Sequence, residues 1–202
     1  MKIYLKIKPL LDFIFSLLLI ILLSPFFCVI AILIKLDSKG PILFRQTRIG
    51  QYNKAFMMYK FRTMRIDTPK DQPTHLFQNP EMFITKIGKF LRKSSLDELP
   101  QFFNVLKGDM SFIGPRPALW NQSDLIELRT ELGADKVKPG ISGLAQVNGR
   151  DELPIEVKAK YDGHYANHVS FLFDFKIILK TFTSIFSAKG IREGGSDQEK
   201  KD

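Results

Sequence analysis

The sequence predicts a mostly helical α+β fold, with a membrane segment at the N terminus. A small β-hairpin and amphipathic helices then surround a compact catalytic-sized domain. Three observations predict it. From Phe13 to Ile34 the only breaks in an apolar run are Ser16, Ser24 and Pro25. Two short alternating segments flank turn residues at Gly50 to Lys54, and helical periodicity recurs from Thr85 onward.

The apolar run comes first. As a helix it would be roughly 30 Å long, enough to cross a bilayer. A cleaved signal peptide would need a shorter core and a small-residue cleavage site, whereas the run continues Ile32-Leu33-Ile34-Lys35. An uncleaved anchor is therefore expected. Its flanks are basic at both ends: Lys2, Lys6 and Lys8 before it, Lys35, Lys39, Arg45 and Arg48 after it. Basic residues mark the cytoplasmic side, so both ends carry the same mark. Pro25 removes a backbone donor, and Ser24 can return a hydrogen bond to a freed carbonyl. These features fit a re-entrant helix as well as a kinked crossing, and the residues alone leave both open.

Ile42 to Arg45 and Phe56 to Met64 read as the strands of the hairpin. Period two puts Met57, Tyr59 and Phe61 on one face, with Lys60 and Arg62 on the other. Asp67 to Glu81 is rich in Pro, Asp, Gln and Asn and reads as a loop. A helix from about Thr85 to Lys93 would turn Ile87, Phe90 and Leu91 inward, and Lys86, Lys89 and Arg92 outward. In the segment from Ser94 to Gly108, Pro100 suits a first helical turn and Gly108 a stop. Near the C terminus Ser170 can cap a helix running to Phe186, whose broad apolar side suits a bilayer surface or a core equally. The polar, Gly-rich residues 191–202 are expected to be disordered. The domain reading is thus a membrane helix over 1–36, a catalytic unit over 37–190 and that tail.

Charge narrows the partners. Lys and Arg number 30 against 21 Asp and Glu, a formal +9, which favours nucleic acid, anionic lipid or phosphorylated substrates. No nucleic-acid motif accompanies it. The single cysteine, Cys28, excludes an internal disulfide, and its apolar neighbours offer nothing to stabilise a thiolate.

Asp97 and Glu98 are the candidates for chemistry. The modest explanation is a capping box, Ser95-x-x-Glu98, at a helix N terminus. Against it stand Lys60, Arg62, Arg92, Lys107 and Arg116, the last inside Gly114-Pro115-Arg116-Pro117. Paired carboxylates beside clustered cations suit metal-assisted phosphoryl transfer, one attacking phosphorus while the other holds a hard divalent cation. Neither common glycine-rich nucleotide cradle is present, nor an Asp-x-Asp. His164 and His168 have i,i+4 metal spacing but lack further ligands, and read as surface residues.

Six blocks in order carry a resemblance. They are Ser24-Pro25, Phe44 to Gly50, Tyr59 to Met64, Ser95 to Gln101, Leu106 to Pro117 and Lys138 to Arg150. On these the chain, from about Lys8 to Gly190, resembles the bacterial sugar transferase family of small monotopic phosphoglycosyl transferases. The resemblance implies a re-entrant break at Ser24-Pro25 and a place on the cytoplasmic face of the bacterial inner membrane. It implies Asp97 as nucleophile and Glu98 as the Mg2+-associated carboxylate. Lys60, Arg62, Arg92, Pro115, Arg116, Pro117 and Arg150 are the expected substrate-binding residues. The implied reaction moves a sugar-1-phosphate from a UDP-sugar to polyprenol (undecaprenyl) phosphate through an aspartyl-phosphosugar, releasing UMP. Membrane lipid and downstream glycosyltransferases are implied partners; nucleic acid is not. Ser142 and Asp151 depart from the commoner threonine and asparagine, away from the dyad.

Two other classes fit the residues less well. A membrane-tethered binding module rests on charge alone. A polytopic transferase fits poorly with one long apolar segment.

Overall fold

The computed structural model describes residues 2–68, 80–149 and 152–187. The expected disordered tail, most of the 67–81 loop and Arg150 lie outside them.

Helix α1 runs Lys2–Asp37 without interruption through Pro9 and Pro25. At 1.5 Å per residue it is about 54 Å long. It is long and apolar enough to cross a membrane, and only 11% of its most apolar stretch is buried, unlike a core helix. Pro25 leaves the Ile21 carbonyl without its i+4 donor, and the Ser24 hydroxyl donates to that oxygen at 2.9 Å. The serine thus repairs the ladder, and the chain stays helical where a break was expected.

One stripe of α1 docks along the domain for nearly its whole length. Asp12, Ser16, Ile30 and Ile34 are buried, while Phe15, Leu18, Leu22, Phe26 and Ile32 face outward. At the N-terminal end Tyr4 and Lys8 donate to Asp174, and Asp12 accepts from the Phe112 amide at 3.4 Å. At the other end Ile30 and Ile34 pack with Phe61 and Leu91, and Asp37 accepts from the Ile87 amide.

Strands β1 (Leu43–Ile49) and β2 (Ala55–Phe61) pair antiparallel around a turn in which Tyr52 and Asn53 have φ 56°. The hairpin is as expected, with β1 longer and β2 shorter. Its register sets Phe44 opposite Lys60 and Gln46 opposite Met58. A further strand, β4 (Ala118–Leu119), covers the other edge of β1. Strand β3 (Ser111–Ile113) pairs in parallel with β5 (Gly140–Ser142). A Cβ at Gly114 or Gly140 would overlap the facing backbone, so both positions require glycine.

Helix α2 (Lys86–Lys93) is capped by Thr85, whose hydroxyl accepts from the Gly88 amide at 3.0 Å. Its inner face is Ile87, Gly88 and Leu91. Phe90, expected inward, is 61% exposed, because buried Gly88 presses against the Thr63 backbone and sets the helix rotation. Helix α3 (Gln101–Lys107) ends at Gly108 with φ 84°. Helices α4 (Ser123–Glu131) and α6 (Ile155–Asn167) are tied by Arg129 donating to buried Asp162 at 2.6 and 2.9 Å, and α5 (Leu144–Val147) packs on α6. On α6 His164 and His168 stack 4.3 Å apart, and no metal-ligating cluster occurs among the described residues.

Helix α7 (Phe171–Ser187) accepts its cap from Ser170, whose hydroxyl takes the Phe173 amide at 3.3 Å. The core reading of this helix holds for one face, and the other face is apolar and exposed. Asp174 and Ile177 enter the core, while Phe171, Leu172, Phe175, Leu179 and Phe182 are exposed.

Candidate active site

Asp97 and Glu98 sit in a single 3-10 turn, Leu96–Glu98, between α2 and α3. The turn enters through Ser95 with φ 56°, and Ser95 makes no side-chain cap. The capping box therefore does not form. Glu98 turns instead to two cations, whose charge-assisted bonds exceed what one backbone amide offers.

Lys60 is the hub. Its Nζ lies 2.7 Å from Glu98 Oε1 and 3.8 Å from Asp97 Oδ2. Arg116 donates to the same Glu98 oxygen at 3.3 Å. The side chains of Lys60, Asp97 and Glu98 are 13–20% exposed, whereas Arg116 is 44% exposed. The dyad is a recessed floor and Arg116 stands at its rim.

The scaffold explains this placement. Asn104 of α3, fully buried, accepts from the Tyr59 amide at 3.0 Å and donates to the Met57 carbonyl at 2.7 Å. That locks β2 against the helix following the dyad and aims Lys60 at it. The Pro115–Pro117 turn is held from both sides. The Pro115 carbonyl accepts from Gly140, and the Pro117 carbonyl from Arg48 at 3.2 Å. Gln46 in turn holds Arg48 at 2.6 and 3.0 Å. Asn104, Gln46 and Arg48 were missed as site residues. Gln46 and Arg48 share the period-two face that the register sets opposite Lys60, a signal usable only with the register in hand.

Arg92 acts on Asp97 through space, with its guanidinium near Met64. Arg62 does not join the group. It is 5% exposed and donates to the carbonyls of Lys39 and Ser38 and to the Ser38 hydroxyl, at the C-terminal end of α1. There it answers the carbonyls of the two residues that follow the helix. Its expected place on substrate gives way to a tether between the hairpin and α1.

The two carboxyls are driven apart. Burial opposes ionisation of Glu98, yet Lys60 and Arg116 outweigh it and hold the group down at about 2. For Asp97 burial pushes the carboxyl up, and the charge on Glu98 adds to it. Lys60, Arg92 and Arg116 offset only part of this. Such a pair places a fixed anion beside a carboxylate of raised basicity, which is a better nucleophile than a solvated aspartate.

A family model for bacterial sugar transferases matches residues 3–188. The chain belongs to the bacterial sugar transferase family. Among its relatives is a UDP-glucose:undecaprenyl-phosphate glucose-1-phosphate transferase of Klebsiella pneumoniae, 44% identical over 86% of this chain and 39% of that protein. A UDP-N-acetylgalactosamine-undecaprenyl-phosphate N-acetylgalactosaminephosphotransferase of Aeromonas hydrophila is 40% identical over 94% of this chain and 46% of its own length. The sugar transferase EpsL of Bacillus subtilis is 42% identical over 79% of this chain and 77% of its own. The chain thus spans less than half the length of the first two.

Proposed function

We propose that this sugar transferase moves a sugar-1-phosphate from a UDP-sugar to a polyprenol (undecaprenyl) phosphate, starting a membrane-linked glycan. The observation that carries the reading is the recessed Asp97–Glu98 pair gripped by Lys60 and Arg116, on a domain docked along an apolar helix. Relatives whose names specify undecaprenyl phosphate and a UDP-sugar support the substrate class.

The chemistry follows from the pair. An Asp97 carboxylate oxygen attacks the phosphorus that bears the sugar. The bridging P–O bond to the uridine phosphate breaks, and UMP leaves with that electron pair. A phosphate oxygen of the polyprenol then attacks the aspartyl-phosphosugar, releasing the carboxylate and forming a diphosphate-linked lipid. Lys60 and Arg116 offset the charge of the incoming diphosphate. Arg92 keeps positive potential on Asp97, and Pro115 and Pro117 fix the Arg116 backbone.

Adjacent carboxylates fit Mg2+, which is commonly held by one or two carboxylates with substrate phosphates and water. Glu98 would hold it, and the ion would screen repulsion between the diphosphate and the dyad.

Membrane seating brings the two substrates together. Both ends of α1 contact one domain, at Asp174 and at Ile87. That favours a helix that keeps both ends on the cytoplasmic side over one that crosses. Cysteines placed at Lys2 and Lys39 should both react only with a cytoplasmic reagent; periplasmic labelling of either would restore a crossing.

The central test is a half-reaction. With Mg2+, a panel of UDP-sugars and no lipid acceptor, one equivalent of UMP should be released as a phosphosugar appears on Asp97 by peptide mass spectrometry. An adduct on another side chain, or lipid turnover with none, would defeat the assignment.

A further inference from the structure

We propose that the outer face of α2 binds the headgroups of anionic phospholipids, pinning the active-site edge of the domain to the bilayer surface. The proposal rests on the reading of α1 as membrane-seated and adds a second, charge-selective contact to it.

Lys86, Lys89, Phe90 and Lys93 fall at spacings of three, four and seven and form one stripe of α2, all exposed. The opposite stripe, Ile87 and Leu91, packs in the cluster containing Ile30 and Ile34 of α1. The outer stripe therefore covers no core. A phenyl ring 61% exposed among three lysines is costly in water, and it is not isolated. Leu33 and Leu36 in the last turns of α1 are 40% and 79% exposed. Ile66, 60% exposed, lies against Gly40 just past that helix, and Met82, 72% exposed, precedes the Thr85 cap. Exposed apolar side chains thus continue from the membrane helix to the flank of α2.

Charge selects the occupant. Helix α2 carries four basic residues in KIGKFLRK and no acidic one, and no ion pair engages Lys86, Lys89 or Lys93 among the described residues. A helix with an aromatic residue at its centre and lysines around it can sink the ring to the acyl boundary while the ammonium groups reach lipid phosphates. Helix α2 also leads directly into the turn bearing Asp97, so its seating sets the height of the dyad above the membrane.

The test uses the full chain in nanodiscs of phosphatidylcholine, with or without phosphatidylglycerol, and without polyprenol phosphate. An environment-sensitive fluorophore is placed by Phe90→Cys, or at a reference site by Leu22→Cys, each in a Cys28→Ser background. Nitroxide-bearing lipids should quench the label at position 90, about twofold more strongly when phosphatidylglycerol is present. Lys86→Gln, Lys89→Gln and Lys93→Gln together should abolish that increment and leave quenching at position 22 unchanged. Persistence of the increment in the triple variant overturns the proposal, as does a label at 90 quenched only by aqueous iodide. An increment that appears only on adding polyprenol phosphate also overturns it and assigns the face to the lipid substrate. A water-accessible label at position 22 would fail the membrane reading itself, separately from this one.

Discussion

Two clusters in this protein join a lysine to a buried carboxylate, and they differ in how completely the anion is satisfied. At Asp174, 3% exposed, the carboxylate takes Lys8 and Tyr4 on one oxygen and lies 2.8 Å from the Tyr165 hydroxyl on the other. Burial and the neighbouring Asp174 push the Tyr165 hydroxyl far above its usual range, so it stays a donor. Every hydrogen-bond partner of Asp174 is a donor, although buried Asp12 sets a second carboxyl before the same lysine. At Lys60 one ammonium faces two carboxyls, and Arg116 joins it on only one of them. Asp97 is left with basicity that the fold does not fully quench. A buried carboxylate supplied with donors on both oxygens holds elements together; one reached only by a lysine at 3.8 Å keeps its reactivity.

The contrast breaks most sharply at Asp97. Asp97→Asn should lower UMP release by about 10⁴-fold or more while thermal stability is unchanged or rises, since a nucleophile is lost and a buried repulsion relieved. Activity near wild type would remove the distinction between the clusters. Asp174→Ala should do the reverse. Leaving Lys8 and the Tyr4 phenol without their acceptor should cost about 3–5 kcal/mol in denaturant unfolding, with the half-reaction of the surviving folded protein retained. A stable variant with a dead half-reaction would show that Asp174 is not merely a clasp.

A smaller effect sharpens the account of the dyad. Asp97 must be ionised to attack, and burial pushes its carboxyl up in the metal-free protein, so the first half-reaction should fall along an acid limb as pH drops. Lys60 lowers that pKa, so Lys60→Gln should move the limb to higher pH and cut the maximal rate by about 10²-fold. A limb that stays put or moves down would mean that another group titrates.

What could be read from residue order is local. The apolar run, the hairpin, the Ser170 cap and the Gly108 stop each depend on neighbours a few residues apart. So does the adjacency of Asp97 and Glu98, and periodicity and turn chemistry report all of them. Ser24-Pro25 shows where that reach ends: the motif announces an orphaned carbonyl, and in the fold a hydroxyl answers it without a break in the helix.

Partners distant in the chain came only with folding. Lys60 and Arg62 alternate along one strand and looked equivalent, yet one reaches Glu98 across 38 residues while the other turns back to α1. Phe90 looked like core until Gly88 fixed the rotation of α2. The parallel pairing of β3 with β5 and the contact of Tyr4 with Asp174, 170 residues away, have no local signature. A periodic pattern states which side chains share a face. Which face meets which is decided by packing and register, because burial energy depends on the whole surface covered and not on neighbours along the chain.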